Sequence, residues 1–358
     1  MMTIGPGLFR LFLSYLVVLH HSFPLRLGAW AVYVFFILSG FWICRMWRRR
    51  YSKAENPYLT FVVSRWWRLA PVFIVCTCLG ALSSLFLQGG ADAGAHPGNL
   101  SWWLRQLLIV GSTQVQTELP PAWSLDVEMQ FYLLAPLLIF LFVRLGNIGR
   151  SLVISGFLGW LLFFLYKGGY SQLAHLWLFV GFFLIGVSVE LNQWKPSRNL
   201  GWGSMLVFAV ITLALAVFPP THRGVWTSGQ EALSNPNTFS SHLVNLWWVM
   251  GAVLVAPFVA WNVSQASPSF DRMLGNLAYP LYLFHWIPRQ WYYHFSQTNE
   301  AHWKQLALLA ANFFAASMGA LLILWVIDQP LDRLRAVWVE SRKAKAKAPL
   351  PERVPISS

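Results

Sequence analysis

Apolar runs long enough to cross a bilayer recur along the whole chain, and no other feature restricts its possible folds as much. Crossing the ~30 Å hydrocarbon core takes about 20 predominantly apolar helical residues. Runs of that order fall near residues 8–24, 28–47, 66–88, 123–145, 149–167, 172–191, 201–218, 240–261, 272–294 and 303–327. The chain therefore reads as an all-α integral membrane protein, a polytopic bundle of about ten transmembrane helices. Composition agrees, since 56% hydrophobic and only 11% charged residues, with 21 Trp and 27 Phe in 358, is too apolar for a soluble domain of this length. One membrane domain over residues 1–335 accounts for the bulk of the chain. A basic tail over 336–358 is expected to be flexible and to lie on anionic lipid.

The net charge of +13 would suit a nucleic-acid partner, but the Lys and Arg lie between apolar runs and in the tail rather than on a soluble module. They are topology signals. An even number of spans puts both termini on one side, and twenty Lys and Arg fall on that side against six on the other, so both termini are expected to be cytoplasmic. Two longer outer connections, near 89–122 and 219–239, are expected to cover an outward-facing cavity. Cys44, Cys76 and Cys78 lie in or beside apolar runs with no ligand-spaced partner, so neither a disulfide framework nor a metal site is expected. The first run follows no basic segment and precedes no small-residue cleavage site, so it reads as a retained span.

Ionisable groups inside such spans are costly and face a bundle interior or a wet cavity. The first span carries Arg10 near one end and His20 and His21 near the other. At ~100° per residue, Arg10 and His21 share a helix face roughly 16 Å apart, while His20 points about 80° away, so if one histidine acts with Arg10 it is His21. In the second span, Ser39-Gly40 is a small pair that allows either close helix approach or a local opening. Arg65 and Arg68, neighbours on one face where span three begins, suit the phosphates of a ligand or of a lipid.

Two carboxylates sit at the outer mouth of span four: Ser124 can cap the helix, Glu128 lies one turn below it, and Asp126 and Gln130 share a different face. Pro280 should bend span nine, leaving His285 mid-membrane as a structural hydrogen bonder or a catalyst. Asp328 reads as a helix stop with a salt bridge. Together these residues suggest a cytoplasmic phosphate-binding rim and an internal His/Glu pair nearer the outer side, the histidine acting as general base. With no Ser or Cys in an evident nucleophile motif, direct transfer between two bound substrates fits better than a covalent intermediate. The same buried charges would also serve a transporter or flippase of a lipid-linked sugar, although no two-half repeat is visible.

Several motifs, in order, resemble the acyltransferase family 3 membrane O-acyltransferases. They are Arg10 and His21 with ten residues between, Phe-Phe-Ile-Leu-Ser-Gly-Phe over 35–41, Arg-x-x-Arg at 65 and 68, Trp-Ser-Leu-Asp-Val-Glu-Met-Gln-Phe-Tyr over 123–132, and Tyr-Pro-Leu-Tyr-Leu-Phe-His-Trp over 279–286. The resemblance implies a ten-helix enzyme of a bacterial inner or plasma membrane. It would take an acyl group from cytoplasmic acyl-CoA, usually acetyl-CoA, and pass it to a hydroxyl of a glycan or lipid-linked sugar. Carried over, His21 looks like the general base and Glu128 like its partner. Arg10, Arg65, Arg68 and Ser39 look like the donor-binding residues, and Trp123, Ser124, Asp126, Gln130, Tyr132, Tyr282 and His285 look like the acceptor side. No metal is implied.

Overall fold

A computed structural model describes residues 4–88, 100–112, 117–168, 174–226, 238–296 and 302–347. It is helical throughout, with no strand among the described residues. In chain order the helices are α1 (Pro6–Ser22), α2 (Gly28–Arg49), α3 (Pro57–Gln88), α4 (Leu100–Leu108), α5 (Trp123–Arg144), α6 (Asn147–Tyr166), α7 (Leu176–Leu191) and α8 (Arg198–Val217). There follow α9 (Pro219–Val225), α10 (Phe239–Leu254), α11 (Ala256–Asn262), α12 (Ser269–Phe284), α13 (Trp286–Ser296), α14 (His302–Ile323) and α15 (Gln329–Lys347), the last two joined by a π-helical turn over Leu324–Asp328.

Seven helical segments are long and apolar enough to cross a membrane: Gly28–Lys53, Pro57–Leu87, Pro120–Arg144, Asn147–Tyr166, Arg198–Val217, Phe239–Asn262 and His302–Ala344. Each coincides with an expected run. The other three expected runs are shorter or interrupted. α1 has 17 residues and α7 has 16, while the run over 272–294 is two helices separated at His285. α7 is buried on nearly every side, with Phe179, Phe182, Phe183 and Val187 fully enclosed by neighbouring helices. α3 begins at Pro57, well before the expected start near residue 66, because Pro57 sets a helical first turn where its missing N–H is not needed. Arg65 and Arg68 therefore lie inside this helix rather than at its edge.

Backbone contact between α2 and α7 fixes the centre of the bundle. A Cβ on Gly40 would run into the Phe183 carbonyl, and one on Gly186 would run into the Ile37 carbonyl. Only hydrogen fits at either place, which is the close-approach reading of Ser39-Gly40. Around this seam stack Tyr33 on Phe182 at 4.7 Å, Phe36 on Phe183 at 4.7 Å and Phe131 on Phe183 at 4.1 Å.

α1 is held differently. The Asp271 carboxylate of α12 accepts from the Gly7 and Leu8 amides at 3.0 and 2.9 Å, two donors left open at the start of α1. Ser267 donates to it at 2.5 Å. Burial alone would raise the pKa of this carboxyl, but the bonds from Ser267, Leu8 and Gly7 prevail and hold it below the ordinary carboxylate range.

Two outcomes are expected from this packing. Gly40→Ala and Gly186→Ala should each lower stability by about 1–3 kcal/mol through forced separation of α2 and α7, read as a lower apparent melting temperature in detergent. A variant that melts with wild type would mean that the seam opens without cost. Asp271→Asn should cost about 2 kcal/mol near neutral pH. Because the folded carboxyl titrates below its unfolded value, its contribution is complete above the unfolded pKa of about 3.9 and is lost as pH falls through the lower folded one. The gap between wild type and Asp271→Asn should therefore close on acidification below about pH 4.

Candidate functional site

The polar side chains buried in this apolar bundle lie in successive levels between the end where α1 begins, here called basal, and the end where it finishes, called distal. At the basal level, Arg68 donates through Nη1 to Asp328 in a short ion pair and comes within 3.9 Å of Asp332 through Nε. Its guanidinium also lies 5.7 Å from the centre of the Tyr279 ring, and the Tyr279 hydroxyl donates to the Leu69 carbonyl at 2.6 Å. Arg65 is buried and donates to the Tyr51 hydroxyl at 2.9 Å. Tyr51 bonds Ser64 at 2.7 Å, and Ser64 accepts from Arg335 of α15 at 2.9 Å.

The middle level centres on Glu128. Its Oε1 accepts from Ser39 Oγ at 2.6 Å and from the Tyr132 hydroxyl at 2.5 Å, bonds that cross from α5 to α2 and along one turn of α5. Arg10 lies within electrostatic reach of Glu128 and Tyr132 on one side and of Asp328 and Arg68 on the other. It thus links the two levels by charge.

Above them, Tyr282 donates to the Pro121 carbonyl at 2.7 Å and, having used its one proton, accepts from Ser124 at 2.7 Å. Trp123 packs against Phe36 and Phe179 with centroids 6.1 and 5.2 Å away. At the distal level the His21 ring stacks on His285 at 5.4 Å and meets Trp286 edge-on at 5.4 Å. Arg289 lies over Trp286 at 4.2 Å and donates to the His21 carbonyl at 2.6 Å. His285 is fully buried and its Nδ1 is 3.3 Å from the Leu281 carbonyl. With Nδ1 donating there, a neutral ring leaves Nε2 as an acceptor, and this atom has no hydrogen-bond partner among the described residues. His20 is turned aside, its Nδ1 3.2 Å from the Leu25 carbonyl and its ring against Gly28, as the helical phase requires.

The sequence-expected residues thus form distinct groups. Arg65 and Arg68 lie together near the basal end, Ser39, Glu128 and Tyr132 bond one another, Ser124 bonds Tyr282, and His21 meets His285. Glu128 is not joined to His21: the ring, backbone and electrostatic neighbours of His21 are His20, His285, Trp286 and Arg289. Asp126 and Gln130 face elsewhere and tether backbone. Asp126 accepts from the Gly111 amide at 2.9 Å and from Gln130 at 2.8 Å, while Gln130 also binds Ala174 O and Leu176 N.

Asp328 forms the expected salt bridge but does not stop its helix. The chain continues through the π turn into α15, with Pro330 directly after the turn. The described part of the basic tail, through Lys347, belongs to that helix, which Arg342 and Glu340 clip to Glu55 and Arg50 at 3.1 and 2.9 Å. Sequence reading did not single out Tyr51, Arg289, Asp332 or Arg335. The spacing of Asp328, Asp332 and Arg335 along one helix face is the signal that marks the last two.

Long apolar helices around a buried polar interior define a multi-pass membrane protein. Family comparison gives the class more closely: the family model described as an acyltransferase domain, acyltransferase family 3, matches residues 4–329, and the chain belongs to that family. Membership implies acyltransferase activity. No curated protein and no solved structure matches the chain.

Proposed function

We propose that the protein moves an acyl group, most simply acetyl, from acyl-CoA at the basal end to a hydroxyl of a glycan or lipid-linked sugar at the distal end. The observation that carries this reading is the series of buried and half-buried polar groups from Arg68 and Arg10, through Ser39, Glu128 and Tyr132, to Tyr282, His285 and His21. Such groups are costly in an apolar bundle and gather where substrates pass or react. The excess of Lys and Arg on the basal side supports a cytoplasmic donor and cytoplasmic termini, in a bacterial inner or plasma membrane.

In this mechanism Arg65 and Arg68 hold donor phosphates, and Arg10 with Ser39 flanks the donor's thioester arm. Glu128 fixes Ser39 and balances the charge of Arg10. Trp123, Ser124, Tyr132, Tyr282 and His285 border the acceptor, while Asp126 and Gln130 position α5 against α7. His21 takes the proton of the acceptor hydroxyl as its oxygen attacks the thioester carbonyl carbon. The carbon–sulfur bond then breaks, and the proton passes from His21 to the departing thiolate, leaving an ester and free CoA. Holding both substrates in line supplies much of the acceleration, so no covalent enzyme intermediate is required.

Purified protein given labelled acetyl-CoA and isolated cell-surface glycans should release CoA and label the glycan. His21→Ala should reduce transfer about 10²–10⁴-fold with acetyl-CoA binding retained, and turnover near wild type would remove the general-base assignment. Arg65→Gln should raise the KM for acetyl-CoA about tenfold with kcat little changed. An unaltered KM would leave Arg65 as a structural partner of Tyr51.

A further inference from the structure

Where α15 crosses α3, one carboxylate stands between two guanidiniums from different helices. Asp332 Oδ1 accepts from Arg335 Nε and Nη2 at 3.0 and 2.7 Å and lies 3.9 Å from Arg68 Nε. Arg68 has a second, permanent counter-ion in Asp328, whose side chain is 5% exposed, whereas that of Asp332 is 40% exposed. Of the two carboxylates, Asp332 is therefore the one that reaches water at little cost. The recess beside them is lined by Trp67, Arg68, Pro71, Asp328, Leu331 and Asp332.

Charge in this region is unbalanced. Arg10, Arg65, Arg68 and Arg335 face Glu128, Asp328 and Asp332, four cations to three carboxylates. Arg65 is 7% exposed and donates to the Tyr51 hydroxyl, and its buried Nε has no hydrogen-bond partner among the described residues. A carboxylate held in one guanidinium fork and facing a second guanidinium 3.9 Å away occupies a place that suits a phosphate group, which brings more oxygens and more charge.

We infer that Arg68 and Arg335 form a single phosphate seat, occupied by Asp332 in the free protein, and that a phosphate of the acyl donor displaces the Asp332 carboxylate from it. This rests on the acyltransfer reading and deepens it. Arg335 lies beyond residue 329, where the family match ends, so the seat adds a residue from the last helix to those the family motifs supply. Asp332 is then an internal competitor and Arg335 a ligand, and removing each must change donor affinity in opposite directions.

The test compares wild type, Asp332→Asn, Arg335→Gln and Arg335→Lys in detergent, with acetyl-CoA and with S-acetylpantetheine, which keeps the thioester arm and has no phosphate. Arg335→Gln should weaken acetyl-CoA about tenfold in Kd and KM, and Asp332→Asn should tighten it severalfold. Constants for S-acetylpantetheine should stay within about twofold. Arg335→Lys, which keeps the charge without the fork, should fall between wild type and Arg335→Gln. It decides the matter with Asp332→Asn if melting curves show Arg335→Gln to be misfolded.

Acetyl-CoA constants that do not move in opposite directions overturn the seat, as do S-acetylpantetheine constants that shift in parallel. A phospholipid headgroup offers the same phosphate chemistry, so binding is repeated in nanodiscs of phosphatidylglycerol and of phosphatidylcholine. Substitutions that change retention of phosphatidylglycerol and leave acetyl-CoA unaffected assign the seat to lipid and overturn the donor role. Wild-type protein that neither binds nor consumes acetyl-CoA overturns the acyltransfer reading along with the seat, whereas the other failures overturn the seat alone.

Discussion

The ion pair between Arg68 and Asp328 organises the basal half of the bundle. A charge buried among apolar helices needs a counter-charge close at hand, since a lost partner costs more than the intact pair gains. Here the pair joins α3 to the π turn at the end of α14, and the same guanidinium rests on Tyr279 of α12. Tyr279 in turn returns its hydroxyl to the α3 backbone beside Arg68. Three elements distant in sequence thereby converge on one cation, and Arg10 of α1 feels the same pair, repelled by Arg68 and attracted by Asp328. At the interface of α2 and α7, Glu190 plays a comparable part, with Arg45 and Arg49 at 3.5 and 3.8 Å.

Rigid packing and polar placement divide the remaining work. Gly40 lets α2 press against α7, and the residue before it, Ser39, is thereby held at the height of Glu128. α1 is fixed at its start by Asp271 and at its end by the bond from Asn312 to Ser22 at 2.8 Å. Arg10 and His21 consequently stand on a helix secured at both ends, which sets their separation for the proposed transfer. The distal histidine pair and the basal arginines belong to different levels, so proton chemistry and phosphate binding are kept apart by the length of one helix.

Much of this was legible in the sequence, and the failures have physical causes. Period and hydropathy located the long apolar helices, since the length of an apolar run is a local property, but not α4, α9 or α15. His20 and His21 meet different neighbours, as their places on one regular helix require. Partnerships between helices were not local. Glu128 was read with His21 because both lie toward the same side of the membrane in sequence order. The structure pairs it with Ser39, whose depth depends on how closely Gly40 lets α2 approach α7. Asp126 and Gln130 do share a face apart from Glu128, as the sequence spacing indicates, and there they bond the backbone at Gly111, Ala174 and Leu176. The helix stop expected at Asp328 is replaced by a π turn that carries the helix on into α15.

The π turn over Leu324–Asp328 has a consequence for register. Such a turn takes up one more residue than an α-helical turn, and each residue advances the helix by about 100°. Everything after it is thereby rotated by more than a quarter circle compared with an uninterrupted helix. Were the turn to tighten to α geometry, Asp332 and Arg335 would swing together away from Arg68 while their own spacing stayed intact. Five residues at the end of α14 thus act as a phase adjuster for the final helix, and a one-residue deletion there would rewrite which of its faces the rest of the protein meets.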